Sequence, residues 1–402
     1  MKIRSITCFY DPNRREAQSD LGRLTELVRS ARSSFQSSGY EVQSTRLATT
    51  PFSSFKPPDR DLVRFVQQLE VSAIEHGFLH LAVGPATPER PDFIALVPRI
   101  LEATKDTFCT GSLITRRNEI SLLAVQACAE VIVRNAAITS DGFTNLRFAA
   151  IANVRPYCPF FPAGYAGGSQ AAFSLAVEGA DLATTAFSEA KNLSRAKKNL
   201  LDAIEKHART LLRLCKDLTK NFQAKFMGFD FSLAPFPREY CSMAGALESL
   251  GVGAFGKAGS LAGAAFLASS LDEGRWKKVG FNGLMLPILE DEVLARRSSE
   301  GTLTLKDLLM YSAVCGVGLD TIPLPGDITS MQVAAILLDI ASLASRLNKQ
   351  LTARLMPVLG KKAGEPTEFH FEYFANGRVM EPYAQPLAGL LSGRESYKLR
   401  PR

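Results

Sequence analysis

Two kinds of hydrophobic pattern take turns along this chain. Short runs are apolar at every second position or throughout, and read as strands. Longer runs repeat their apolar positions every three to four residues, and read as amphipathic helices. Strands are predicted at 2–9, 40–48, 78–84, 106–113, 146–154 and 171–177. Helices are predicted at about 19–36, 59–76, 91–104 and 120–135, with one long helix before residue 225. The strand that organises the rest spans 226–233, where Asp230 and Ser232 stand two apart and leave the same face. Pro235 and Pro237 stop it, because proline lacks the ladder donor. Arg238 and Glu239 then open a predicted helix carrying Met243, Leu247 and Leu250. Helices at 257–271, 291–298, 305–314 and 331–347 and strands at 280–286, 319–324, 351–356 and 368–374 complete the pattern. No linker is long enough to cut this alternation, so one α/β domain over 1–402 with a mostly parallel sheet is expected. Ten or so strands in one sheet tend to curl, which favours a closed barrel over an open sheet.

Composition changes the picture little. The chain is 46% hydrophobic and 22% charged, which suits a large packed core. Its net charge of +7 raises the question of nucleic acid. The densest basic run, 191–225, also holds Asp202, Glu205 and Asp217, and its apolar residues fall at helical spacing. The charges therefore read as the wet face of one helix, and nucleic-acid binding is not expected. The seven cysteines are widely spaced, with no CxxC pair and no cysteine–histidine cluster suited to zinc. The N-terminus lacks a signal-like apolar core, and no apolar run reaches about 18 residues without a polar break. A soluble protein in a reducing cytoplasm, without a membrane partner, is expected.

Several stretches carry candidate chemistry. Residues 251–258 nearly spell a phosphate loop, but Ala258 replaces the metal-binding hydroxyl and a helix precedes the loop. A turn between two helices explains the glycines better. The loop from Pro159 to Gln170 is aromatic and glycine-rich. Its amides can cradle an anion while Tyr165 covers a ligand, or it is simply a packed surface loop. Glu290, Asp291 and Glu292 follow a strand, and offer oxygen ligands or a general acid. A helix N-terminus accounts better for Asp291 and Glu292. Cys315 reads as a small buried residue, and Asp320 opens the next strand. The histidines His76, His80, His207 and His370 share no spacing that suggests a triad.

Asp230-Phe-Ser-Leu-Ala-Pro-Phe-Pro, Gly283-Leu-Met-Leu-Pro-Ile-Leu-Glu-Asp-Glu292 and Cys315-Gly-Val-Gly-Leu-Asp320 together resemble the domain-of-unknown-function family seven-eleven. Val97-Pro98-Arg99, and Pro159-Phe160 with the stretch 178–181, are similar too. The resemblance covers nearly the whole chain. It implies a pyruvate formate-lyase-like fold, a ten-stranded barrel of two parallel five-stranded halves covered by helices. It does not imply radical chemistry. Glycyl-radical enzymes carry their glycine in a C-terminal Arg-Val-x-Gly-aromatic loop, and Arg378-Val379-Met380-Glu381 puts Glu381 there. No glycyl radical is expected, and neither Cys315 nor Cys241 takes a thiyl role by analogy. Relatives often carry a histidine near Tyr165, where this chain has Ala166 and Gly167.

On the barrel reading, strand ends gather at one rim. Asp230, Glu239, Glu290 and Asp320 are then candidate catalytic carboxylates, with Ser232 and Arg238 orienting a substrate. Tyr165, Gly167 and Gly168 would close the pocket. The first expectation is an enzyme of unassigned, non-radical reaction acting on a small polar or anionic metabolite in the barrel mouth, with a divalent cation as a candidate cofactor. The rival expectation is a non-catalytic ligand-binding or regulatory protein on the same scaffold. The apolar helix at 331–347 would cover the sheet or meet a second copy of the chain equally well.

Overall fold

Strand β1 (Lys2–Tyr10) shows the rule that the sheet follows. Ile6, Cys8 and Tyr10 join the large core under the helices, while Ser5, Thr7 and Phe9 face the other way, as a period of two requires. In this computed structural model, which describes residues 1–57, 61–139 and 141–402, the following strands are β2 (Thr45–Thr49), β3 (His80–Ala86), β4 (Thr107–Ser112), β5 (Ile120–Ser121) and β6 (Phe148–Ala152). After them come β7 (Ala172–Glu178), β8 (Lys225–Ala234), β9 (Gly318–Pro325), β10 (Leu351–Val358) and β11 (Ser396–Tyr397). Among the described residues, nine strands form one sheet in the order β8-β7-β1-β2-β3-β4-β6-β10-β9, and β5 pairs separately with β11. The block β1-β2-β3-β4-β6 is parallel throughout. The parallel pairs β7–β8 and β9–β10 join its two sides antiparallel, through β1–β7 and β6–β10.

Helices cover one face of the sheet. Ala17–Ser37 packs on β1 and on the long helix Leu193–Phe222, and Leu122–Ala136 packs with Ser330–Leu347 over β10. The long helix buries Leu200, Ile204, Leu211 and Leu218 and leaves its lysines toward water, as its spacing predicts. Ser330–Leu347 is long and apolar enough to cross a membrane, but 50% of it is buried inside the protein, as befits a core helix. The predicted helix at 59–76 appears as Leu62–Glu75, and its expected start at Asp59 lies outside the described residues.

Two predicted strands are absent. At 280–286, Gly280 (φ +74°) and Asn282 (φ +46°) turn the backbone left-handed, which breaks an extended run. At 368–374 the Asn376 side chain takes the Phe369 N–H and donates to the Phe369 carbonyl, so these groups close a loop instead of a ladder. Among the described residues the sheet therefore has nine strands, against eleven predicted from the pattern and ten in the resembled barrel. The irregular 277–288 segment still bonds to both sheet edges. Phe229 of β8 donates to the Lys277 carbonyl at 2.8 Å, and Ile288 donates to the Asp320 carbonyl of β9 at 3.1 Å.

Candidate functional site

The face of the sheet away from the helices lines a partly open cavity of about 430 Å³. Small side chains at inward positions make the room: Ala149 of β6 and Ala234 of β8 line it, while their neighbours Phe148 and Leu233 turn to the outer core. The loop between β6 and β7 enters this space. Its Pro159 carbonyl accepts hydrogen bonds from Ser5 at 3.2 Å and Thr7 at 2.8 Å, and Phe160 to Ala163 form part of the wall. Phe371, Glu372 and Tyr373 close another side.

Three arginines on strands face the cavity, together with Asp320 of β9 and with Glu290 from the turn that follows the 277–288 segment. Arg4 of β1 reaches Glu290 at 2.9 Å and Glu178 at 3.4 Å. Arg354 of β10 reaches Glu290 at 2.7 Å and Asp320 at 2.6 Å. The result is a buried ladder of alternating charge, Glu178–Arg4–Glu290–Arg354–Asp320. Register breaks aim its members. Arg4 is the extra residue between the pairs Ile3↔Val177 and Ser5↔Ala176. Arg354 stands opposite two residues, Asp320 and Thr321, and Thr321 holds a φ of +44°. Bulges re-aim side chains in this way, and a β-branched residue at positive φ is a true outlier. Burial lifts the Asp320 carboxyl above its ordinary range, with Arg354 pulling down and Glu290 pushing up. Burial opposes the Arg354 cation, but Asp320 and Glu290 outweigh it and hold the guanidinium charged.

Arg46 of β2 stands apart from the ladder. Its Nε donates to the Ser44 hydroxyl at 3.0 Å, and its guanidinium lies 5.2 Å from the Phe161 ring centre. Among the described residues, no acceptor lies within hydrogen-bond distance of its two terminal nitrogens, and no carboxylate pairs with it. Burial, then the neighbouring Arg4 and Arg354, push its pKa down to about 9 against the pull of Glu290. His80 sits nearby, its ring edge-on to Phe108 and its Nδ1 3.7 Å from Asp106. Burial, then Arg46, push its pKa down to about 4, so the imidazole is neutral at pH 7. Arg147 also lines the cavity, but it donates to the carbonyls of Leu101 and Thr104.

The acids predicted to converge are thus divided. Glu290 and Asp320 share the cavity. Asp230 is fully buried elsewhere and accepts from the Ser232 hydroxyl and from the backbone N–H groups of Ser232, Phe281 and Asn282. Burial raises its pKa to about 6 against those donors. Together Asp230 and Ser232 clip the 280–283 segment to β8. Glu239 is exposed and paired with Arg296 at 2.7 Å, beside an exposed Arg238. The Tyr165 hydroxyl donates to the Val154 carbonyl at 2.8 Å, and Gly167 packs on Pro156. Neither they nor Gly168 line the cavity, although their neighbours Phe160 to Ala163 do. Asp291 caps two helices at once, accepting from Ser242, Met243, Val293 and Leu294.

Among the described residues, no group of three or more His, Cys, Asp or Glu side chains is placed to hold a metal ion. Glu290 and Asp320 already face guanidinium groups. All seven cysteines are free and buried, Cys241 and Cys315 included.

Sequence reasoning missed Arg4, Arg46, His80 and Arg354. The signal was present: an arginine inside a short apolar strand must find a partner or a cavity, because a charge is seldom buried alone.

Comparison with known proteins assigns the chain to a family. A UPF0210 protein of Pyrobaculum aerophilum is 30% identical over 357 residues, covering 81% of this chain and 76% of that protein. A UPF0210 protein of Neisseria gonorrhoeae is 28% identical over 364 residues, covering 86% and 80%. The family model described as Uncharacterised ACR (DUF711) matches residues 1–376, and the chain belongs to that family.

Proposed function

We propose that this protein binds a small anionic metabolite in the central cavity, as a ligand-binding or regulatory protein. One observation carries the reading: among the described residues, the two terminal nitrogens of Arg46 meet no acceptor and face a partly open space of ligand size. Arginine forks bind carboxylate and phosphate oxygens in pairs, and a dry wall strengthens the contact. The pairing of Glu290 and Asp320 with arginine favours binding over catalysis, since neither is a free base.

An enzymatic reading has one specific support, the imidazole of His80 beside Arg46, which is neutral at pH 7 and can accept a proton, though a pKa near 4 makes it a weak base. Turnover would then run through His80 rather than through Asp230 or Glu239.

The proposal includes a single domain over 1–402 with a closed, pyruvate formate-lyase-like barrel. Its support is that β1, β2, β9 and β10 line one cavity while 277–288 bonds to both outer strands. Free, buried thiols suit the proposed cytoplasmic setting.

The test is a thermal-shift screen of anionic metabolites, with and without divalent ions, on wild type and Arg46→Gln. A hit is expected to raise Tm in wild type by mass action. The same ligand should lose about tenfold or more in affinity in the variant, as for a charge-assisted bidentate contact. Equal responses of the two proteins would remove the site.

A further inference from the structure

We infer that the ligand is a monocarboxylate with a flat, aromatic-sized apolar body; the inference rests on the anion-binding reading above and narrows it. Three features of the cavity carry it.

The first is the number of vacant donors. Among the described residues that line the cavity, Arg4 and Arg354 are engaged by carboxylates, Arg147 donates to carbonyls, Lys105 is exposed to solvent, and Arg46 is the one arginine that keeps both terminal nitrogens without an acceptor. One planar fork matches one planar carboxylate. The second is repulsion. Glu290 and Asp320 already occupy Arg4 and Arg354, so a phosphate ester, bringing a second negative charge and a third oxygen, would find those two cations taken.

The third is the wall around the fork. Phe161 lies under the Arg46 guanidinium, and Phe108 packs against Phe161 at 5.5 Å between ring centres. In the same lining, Tyr373 lies 5.0 Å from the Arg4 guanidinium and packs on Phe371 at 5.2 Å. Two aromatic pairs thus face one partly open volume of about 430 Å³. A bare anion such as acetate would leave that volume and those rings without contacts. A ring attached to the carboxylate fills both, by edge-to-face packing.

Calorimetric titration of the full chain with four probes tests this: acetate, phenylacetate, phenyl phosphate and 2-phenylethanol. Phenylacetate is expected to bind about tenfold or more tightly than each of the others, because it alone satisfies fork and rings together. Arg46→Gln is expected to lose that binding while keeping the wild-type circular dichroism. Should Arg46→Gln fail to fold, Arg46→Lys serves, since it keeps the charge and loses the fork. Phe161→Leu is expected to weaken phenylacetate and leave acetate unchanged.

If acetate matches phenylacetate and both depend on Arg46, the anion site stands and the aromatic assignment falls. If phenyl phosphate binds more tightly than phenylacetate, the monocarboxylate assignment falls. Phenylethanol matching phenylacetate would show that charge plays no part. No anion binding, or binding indifferent to Arg46, would overturn the anion-binding reading itself.

Discussion

At the scale of single residues, the same side-chain type takes opposite roles according to its neighbours. Arg4 and Arg354 are held between carboxylates and stiffen the wall, whereas Arg46 meets a hydroxyl and a ring and stays available. His80 shows how burial sets a charge state. Its pKa lies near 4 in the fold against an ordinary value of 6.5. Between those values the unfolded chain binds a proton that the folded chain refuses, so stability falls as pH drops from 6.5 toward 4. His80→Leu removes that slope. The stability of wild type relative to the variant is expected to shrink by about 1 kcal/mol between pH 7 and 4.5, discounted because the ring is about a third exposed. Urea titrations of both proteins at the two pH values measure it, and parallel profiles would show that His80 titrates normally.

At the scale of elements, one acid joins two helices. Asp291 is fully buried and accepts from the Ser242 hydroxyl and from the N–H groups of Met243, Val293 and Leu294. It therefore caps Glu292–Ser299 and steadies the start of Met243–Leu247. Both helix N-termini favour its negative charge. Asp291→Ala leaves several buried donors without an acceptor and is expected to destabilise the protein by about 3 kcal/mol or more. Asp291→Asn keeps one acceptor oxygen and should cost distinctly less in the same chemical denaturation. The near-phosphate loop at 251–258 also resolves at this scale. Gly256, at φ +104°, would place a Cβ 2.0 Å from the Thr302 carbonyl oxygen, so its glycine answers to packing against backbone.

At the scale of the whole molecule, the question is how the two outer strands of the sheet end. Phe229 donates to the Lys277 carbonyl, Val279 to the Phe229 carbonyl, and Ile288 to the Asp320 carbonyl. If 277–288 bridges β8 and β9 in solution, these amides sit inside a continuous bonded surface. Their hydrogen exchange is then expected to be slow, close to that of Leu47 or Leu81 in the central block. Exchange of Phe229 and Ile288 as fast as that of surface loops would show an open sheet. The charged ladder spans the same divide, since Arg4 belongs to the parallel block and Asp320 and Arg354 to the β9–β10 pair. Joining strands distant in sheet order through buried ions requires the sheet to curl.

Alternation and periodicity were enough to predict most strands and helices, the mostly parallel pairing and the helical face at 193–222, because those depend on neighbours a few residues apart. Local chemistry also sufficed for Asp291 as a helix cap and for the glycine turn near Gly256. The site was legible only in part. Glu290 and Asp320 were named from strand ends, but Asp230 and Glu239 were named on the same ground and went elsewhere. Strand ends do not say which residues a bulge turns inward, nor which carboxylates find an arginine. Arg4, Arg46 and Arg354 lie 42 and 308 residues apart along the chain, and no pattern within a strand relates them. Only the register of β1 on β7 and of β10 on β9, and the curl that brings β2 over β10, place two guanidiniums among acids and leave the third facing empty space.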